Sequence, residues 1–228
     1  MLQYFRKQMK LFFNKLNEIK QKKDSNIIIY FKEDVIRLDL VDTNNDTIDL
    51  LYNLRKKYRD MFATDFQMTK EKTRNWIKKI ILGSQDRILF IISINNRKIG
   101  CIGHGGYNEN ENSSQLDNMM KDPSCKISGI MTIVEKVYLK WMFEFFELSK
   151  ITGYLFSDNE KMMSLHRECG WKLLDKVPIT KKIENDYSIW EIDKEPSTKR
   201  IERYFNIIEL EKSNLLKNFQ GIEYEVKI

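Results

Sequence analysis

Cysteine is scarce in this 228-residue chain: Cys101, Cys125 and Cys169 are the three present, and no two share a C-x-x-C spacing. That excludes a disulfide framework and a thiolate zinc cluster, and it suits a reducing, cytoplasmic setting. Histidine is scarcer still. His104 and His166 are the two in the chain and neither sits at a metal-ligand spacing, so no metal is expected. Long apolar runs are missing, since none reaches the roughly 18 residues that a membrane span needs. The opening Met1-Leu2-Gln3-Tyr4-Phe5-Arg6-Lys7 puts cations where an export signal would need an apolar core, which again points to the cytoplasm. Proline occurs three times, a count that reflects base composition as much as physics. No glycine-rich dinucleotide fingerprint follows a strand, and neither a P-loop nor a serine-nucleophile elbow is present.

What is there describes a folded protein. Hydrophobic residues make up 42% and aromatics 12%, which argues against disorder despite a charged fraction of 32%. The length fits one large domain, or a domain with appendages, and allows a real core. Lys and Arg number 39 against 33 Asp and Glu, a net charge of +6. Much of that charge reads as solvated helix faces. The excess favours anionic ligands such as phosphates or sugar nucleotides. Without an aromatic–basic module motif, no nucleic-acid partner is expected.

Along the chain, Leu2, Phe5, Met9, Phe12, Phe13, Leu16 and Ile19 recur at helical spacing, with Arg6, Lys7, Lys10, Lys15 and Lys20 elsewhere around the helix. The pattern predicts an amphipathic helix over 2–22, packed on the domain or on a second subunit. A basic helix lying on an anionic membrane is the alternative. Strands are expected over 26–31 and 35–41, then a helix over 47–61 and a second from the cap Thr69 to Gly83. Strands over 87–94 and 98–107 are joined by Asn95-Asn96, a residue pair that tolerates positive φ in a tight hairpin. A short strand over 115–120 precedes a long helix over 130–148. A strand over 150–156 leads to a short helix capped by Asp158 and ended by Gly170. Strands over 171–177 and 187–192 follow. Past Pro196, the spacing of Ile201, Tyr204, Phe205, Ile208 and Leu215 predicts a helical appendage. Such mixed order implies an α+β (α/β layered) domain with a partly antiparallel sheet.

The most informative stretch runs from Asp158 to Trp171. It resembles the GCN5-related N-acetyltransferase (GNAT) superfamily, which commonly carries N-x-x-A-x-x-L-Y-x-x-x-G-F after its fifth core strand. Asn159, Leu165 and Gly170 match, and Trp171 stands for the aromatic. Met162 replaces the small residue and His166 the tyrosine. The element order resembles the superfamily from about Val35 to Ile192. The resemblance implies a mixed central sheet flanked by helices, with extra terminal helices. It implies an N-terminal helix over 1–25, an acyltransferase domain over 26–194 and a C-terminal helical extension over 195–228. It also implies acetyl-coenzyme A as co-substrate. The family's pyrophosphate loop is poorly matched, because 121–130 retains a single glycine. A helix N-terminus still offers free N–H groups and a positive dipole end to a phosphate. The expected coenzyme site is therefore Met119, Met120, Lys121, Lys126, Ser128, Gly129 and Ile130, with Asn159. An ordinary loop in which Ser128 caps the helix is the alternative.

Acyl transfer requires a neutral amine, a polarised thioester carbonyl and a proton for the departing thiolate. The family often takes that proton from the tyrosine position, and imidazole is a sensible substitute, so His166 is the expected acid. His104, on a strand that leads to the acceptor cleft in the family, is a candidate base; a sheet-edge histidine near a bulge is the alternative. Asp117 lies where some members place an acidic base, against a solvated or helix-capping carboxylate. Cys169, three residues from His166, reads better as a buried thiol than as a nucleophile. Arg55, Arg59 and Asp65 would meet a charged acceptor, and Phe62 or Phe66 would stack on a sugar or base. The expectation is a small-molecule amine, in particular a nucleotide-linked amino sugar. Acetylation of a protein amine and a non-catalytic binding module are the alternatives, and a homodimer stays open.

Overall fold

The computed structural model describes residues 2–22, 25–193 and 201–228, with residues 2–7 described by backbone alone. Helix α1 (Leu2–Gln21) forms where the apolar period predicts it. Phe12, Leu16 and Ile19 are buried in the main core. Lys15 Nζ donates to Phe145 O at 2.6 Å, and Lys20 Nζ donates to Ile81 O at 2.8 Å. This helix is packed on the domain. The side chains of Leu2, Phe5, Arg6 and Lys7 lie outside the described residues.

The two following strands, β1 (Asn26–Phe31) and β2 (Asp34–Leu40), pair antiparallel through a turn at Lys32, whose φ is 58°. Helix α2 (Asn45–Lys57) comes next, and the short strand β3 (Thr64–Phe66) separates it from α3 (Lys70–Trp76). Thr69 caps α3 as expected, its Oγ1 accepting from Lys72 N at 3.1 Å. The helix then widens to π geometry over Ile77–Leu82 and stops at Gly83. A side chain at Gly83 would place Cβ 2.7 Å from Lys79 O, so the wide turn requires glycine there.

The strands β4 (Ile88–Ile94) and β5 (Arg97–Asn108) form the Asn95-Asn96 hairpin, both turn residues having positive φ. Then come β6 (Ser113–Lys121), α4 (Ile130–Phe145), β7 (Lys150–Phe156) and α5 (Glu160–Cys169). The chain continues with β8 (Lys172–Glu184), β9 (Tyr187–Ile192), β10 (Arg203–Glu211), α6 (Lys212–Lys217) and β11 (Glu223–Lys227). They join one 11-stranded sheet in the order β11-β1-β2-β4-β5-β6-β7-β10-β8-β9-β3. Helices α1, α4 and α5 cover one face around Phe90, Val134, Tyr138 and Phe143; α2 and α3 cover the other around Leu51, Leu54, Ile77 and Ile91.

Three expectations are corrected. Residues 203–211 are not helical, because β10 inserts between β7 and β8 and pairs with both. Its buried Ile208 and Leu210 alternate at the strand period, and the i, i+4 pair Tyr204/Ile208 mimicked a helix. The C-terminal helix is only the six residues of α6, and β11 returns to pair with β1. Pro196 and the expected boundary at 194–195 lie outside the described residues. Helix α5 is capped by Asn159, whose Oδ1 accepts from Met162 N at 3.3 Å. Asp158 instead receives a two-pronged pair from Arg203, at 2.9 and 3.0 Å.

Candidate active site

Among the described residues ten strand pairings build the sheet, and β6 with β7 is the parallel one. That pair meets only where Ser113–Gln115 face Lys150–Thr152. Beyond this point β6 stays with β5 and β7 stays with β10, so the two strands diverge and a wedge opens between 116–121 and 153–156. A bulge bends β6 away: Asn118, at φ 51°, lies where the register between β5 and β6 shifts. The wedge leaves two unpaired strand edges facing each other in the middle of the sheet, and such edges seek a backbone-like partner.

On the α2/α3 side of the wedge, Arg87 Nη1 donates to Asp117 Oδ2 at 3.0 Å, and Asn118 N donates to Asp117 Oδ1 at 2.8 Å. Desolvation nevertheless pushes the Asp117 carboxyl up from the ordinary range, against the pull of Arg87. Its side chain keeps 34% of its surface, enough to meet a ligand. Across the gap stands Tyr154 on β7, near Asp117. Burial and the nearby Asp117 raise its phenol, which stays protonated. The sequence reading missed both Arg87 and Tyr154.

On the opposite face, His166 is 5% exposed and its Nδ1 lies 2.7 Å from Glu135 Oε1. Glu135 comes from α4, is fully buried, and receives a second bond at the same oxygen from Trp171 Nε1 at 2.7 Å. Trp171 reaches Gly153, at the mouth of the wedge on β7. Burial pushes the Cys169 thiol up, so it is no nucleophile. The same holds for Cys101.

The loop before α4 leads into the start of that helix. Gly129 sits at φ 76° and caps α4 without a side-chain bond, so Ser128 does not cap it. Lys126, Ser128 and Gly129 are exposed. Lys121 Nζ is tied to Cys125 O at 2.8 Å, and Tyr58 donates to Lys121 O at 2.8 Å. Met120 points into the α2/α3 core, whereas Met119 packs on the α4 side. Asn159 is engaged as the α5 cap.

A family model described as an acetyltransferase (GNAT) domain matches residues 37–172. The chain belongs to the GNAT acetyltransferase family. It is an N-acetyltransferase that uses acetyl-coenzyme A. No curated protein matches its sequence. Among solved structures it is similar to the spermidine N-acetyltransferase of Vibrio cholerae in complex with CoA and spermine. That pair has 14% identity and a TM-score of 0.62, covering 79% of this chain and 98% of the other. A probable GNAT-family acetyltransferase of Chromobacterium violaceum aligns at 11% identity and TM-score 0.61, covering 82% of this chain and 87% of the other. At such identities the likeness is one of fold.

The expected acceptor residues of this GNAT enzyme are engaged with one another. The Arg55 guanidinium lies 3.4 Å over the Phe62 ring and donates to Thr64 O at 2.6 Å. Burial lowers it to about 10, which leaves it charged at neutral pH, within the fields of Asp117 and Asp65. Phe62 is thus covered by Arg55 and is not a free stacking platform. Arg59 grips Asp65 through two donors. Phe66 lines an open cleft with Lys72, Asn75, Asp186 and Tyr187.

His104 is corrected most clearly. It lies neither in the cleft nor on a sheet edge but in the core, 1% exposed, ringed by Phe12, Phe146 and Tyr138. Its Nδ1 is 2.7 Å from the Tyr138 hydroxyl and its Nε2 has no partner. Burial lowers its pKa to about 3, so it is neutral in the folded protein. The unfolded chain takes up a proton at His104 below an ordinary value of about 6.5. Stability is therefore fully present above that value and is lost as pH falls towards 3, by up to ~1.4 kcal/mol per pH unit. Urea titrations at pH 7 and pH 5 should show this loss in the wild type and a flatter dependence in His104→Asn. Equal dependence in both proteins would remove His104 as its source.

Proposed function

We propose that this GNAT enzyme acetylates the amine of a small acceptor that also carries anionic groups, with a nucleotide-linked amino sugar as the best-fitting class. The acceptor enters from the α2/α3 side, and Asp117 takes the proton that its ammonium must lose. One observation supports the choice: Arg55, half-buried against Phe62 and Thr64 and still charged, lies within the field of Asp117. Asp65, Asp117 and Asp158 already have arginine partners, and a polyamine would need carboxylates without them. The V. cholerae neighbour is named for spermidine, so the comparison is a sharp one. Initial rates with a nucleotide-linked amino sugar and with spermidine test the reading. The expected kcat/KM favours the sugar by about tenfold or more, since a second ammonium next to Arg55 costs like-charge repulsion. A higher value for spermidine would reject it.

The residues around α4 fit the coenzyme. The first amides of the helix lack helical partners, and the space beside Gly129 is open: a Cβ at that position would meet nothing nearer than the Phe31 ring, at 3.9 Å. Exposed Lys126 and tethered Lys121 add positive charge, and the free edge of Met119–Lys121 offers backbone groups to the amide-bearing arm. When bound, acetyl-coenzyme A supplies the activated acyl group. His166 then gives a proton to the departing sulfur. Tyr154, protonated across the wedge, is a second candidate donor. Gly129→Asp should weaken coenzyme binding by about tenfold or more in calorimetry, through a carboxylate placed against phosphate. Unchanged affinity would move the phosphate site elsewhere.

A further inference from the structure

Glu135 is the one fully buried carboxylate among the described residues, on a helix whose other buried side chains are apolar or aromatic. Removing a carboxylate from water is costly unless charge or hydrogen bonds compensate it. Here Oε1 receives His166 Nδ1 and Trp171 Nε1, each at 2.7 Å, while Oε2 has no partner. Such a group is kept where it does something packing alone would not need. A leucine at that position would leave His166 Nδ1–H and Trp171 Nε1–H buried without an acceptor.

We propose that Glu135 is a positioning residue for acyl transfer: it fixes the His166 ring with Nδ1–H toward the carboxylate and stabilises the imidazolium, so that Nε2–H is the proton presented to the leaving sulfur. This rests on the reading of His166 as the general acid. In the step, the amine nitrogen bonds to the acetyl carbon and the carbon–sulfur bond breaks, its electron pair remaining on sulfur. The Nε2 proton goes to that sulfur, giving the free thiol, and the proton shed by the attacking nitrogen goes to Asp117, which has passed the ammonium's first proton to solvent before the attack. His166 is left neutral, still donating from Nδ1 to Glu135. Trp171 holds the carboxylate in place and carries no charge, so the stabilisation falls on His166. The neighbouring Cys169 thiol of α5 feels Glu135 itself, Lys136 of α4 and Glu168 of α5. Glu168 is engaged at the surface by Thr132 Oγ1 at 3.1 Å.

A general acid loses activity as pH rises through its pKa, so the test is the alkaline limb of kcat against pH. In Glu135→Gln, which keeps shape and an acceptor but removes the charge, that limb should move down by about one pH unit or more. At pH 8 kcat should fall about tenfold, with the coenzyme Kd unchanged, and Glu135→Asp should restore part of the shift. An unmoved limb in Glu135→Gln, with His166→Ala still impaired, overturns the role of Glu135 while leaving His166 as the acid. Wild-type turnover in His166→Ala overturns the underlying reading instead. Should Glu135→Gln fail to fold, titration of the His166 ring nitrogens by NMR in the wild type decides. The neutral ring is expected to carry its proton on Nδ1, facing Glu135, and a neutral ring protonated at Nε2 instead refutes the proposal.

Discussion

His166→Ala is expected to lower kcat by about 10²–10⁴-fold while leaving coenzyme affinity near that of the wild type. The motif places His166 where the family offers a proton to sulfur, and one ring nitrogen is already spent on Glu135. A histidine that only packs predicts otherwise. Ala would then strip Glu135 of a partner and lower the melting midpoint, with turnover per folded molecule intact. Measuring both quantities on one preparation separates the accounts. His166→Tyr should keep part of the activity but melt lower, because a phenol cannot reproduce the Nδ1 bond to a buried carboxylate. Tyr154→Phe is the companion variant. A loss in Tyr154→Phe of the size expected for His166→Ala, with His166→Ala itself active, would move the donor to the β7 side of the wedge.

Asp117→Asn is expected to cut kcat/KM for the acceptor by about 10²–10³-fold, the scale of a lost general base. The carboxyl is raised by desolvation in the folded enzyme, which brings a base closer to working pH. The wild-type acid limb should therefore lie above the ordinary carboxylate value of about 3.9, and activity should be lost as pH falls through it. Asn retains the shape and the acceptor oxygen for Arg87, so a purely structural ion pair predicts only a modest drop in stability and an unchanged acid limb. An acid limb that persists in Asp117→Asn would show that another group takes the proton.

The sequence makes the local parts of this protein legible and leaves the assembled ones hidden. Strand β7 and the Asn95-Asn96 turn follow from β-branched runs and from residues that tolerate positive φ. The α5 motif is contiguous, so Asn159, His166, Gly170 and Trp171 can be read together. β10 escapes because Tyr204, Phe205 and Ile208 satisfy a helical spacing as readily as a strand's, and only insertion between β7 and β8 decides. His104 escapes because small neighbours on both sides suggest an open cleft, whereas Phe12 of α1 and Phe146 fill it. Tyr154 and Asp117 converge only because two strands diverge, a relation that no local pattern encodes. Glu135 did leave a mark: it stands four residues after Met131 and four before Leu139, a charge on the buried stripe of α4. Arg55, Arg59 and Asp65 were singled out through the resemblance, which sets the first two helices beside the acceptor; the Arg59–Asp65 pair and the seat of Arg55 on Phe62 are tertiary.

The most direct test of the wedge as the acyl-transfer site is a crystal structure of the full chain soaked with acetyl-coenzyme A. The account predicts the pantetheine arm between 116–121 and 153–156, the phosphates on the amides of Ser128–Ile130, and the sulfur within hydrogen-bond reach of His166 Nε2. A coenzyme bound elsewhere, or a sulfur remote from both His166 and Asp117, would contradict it.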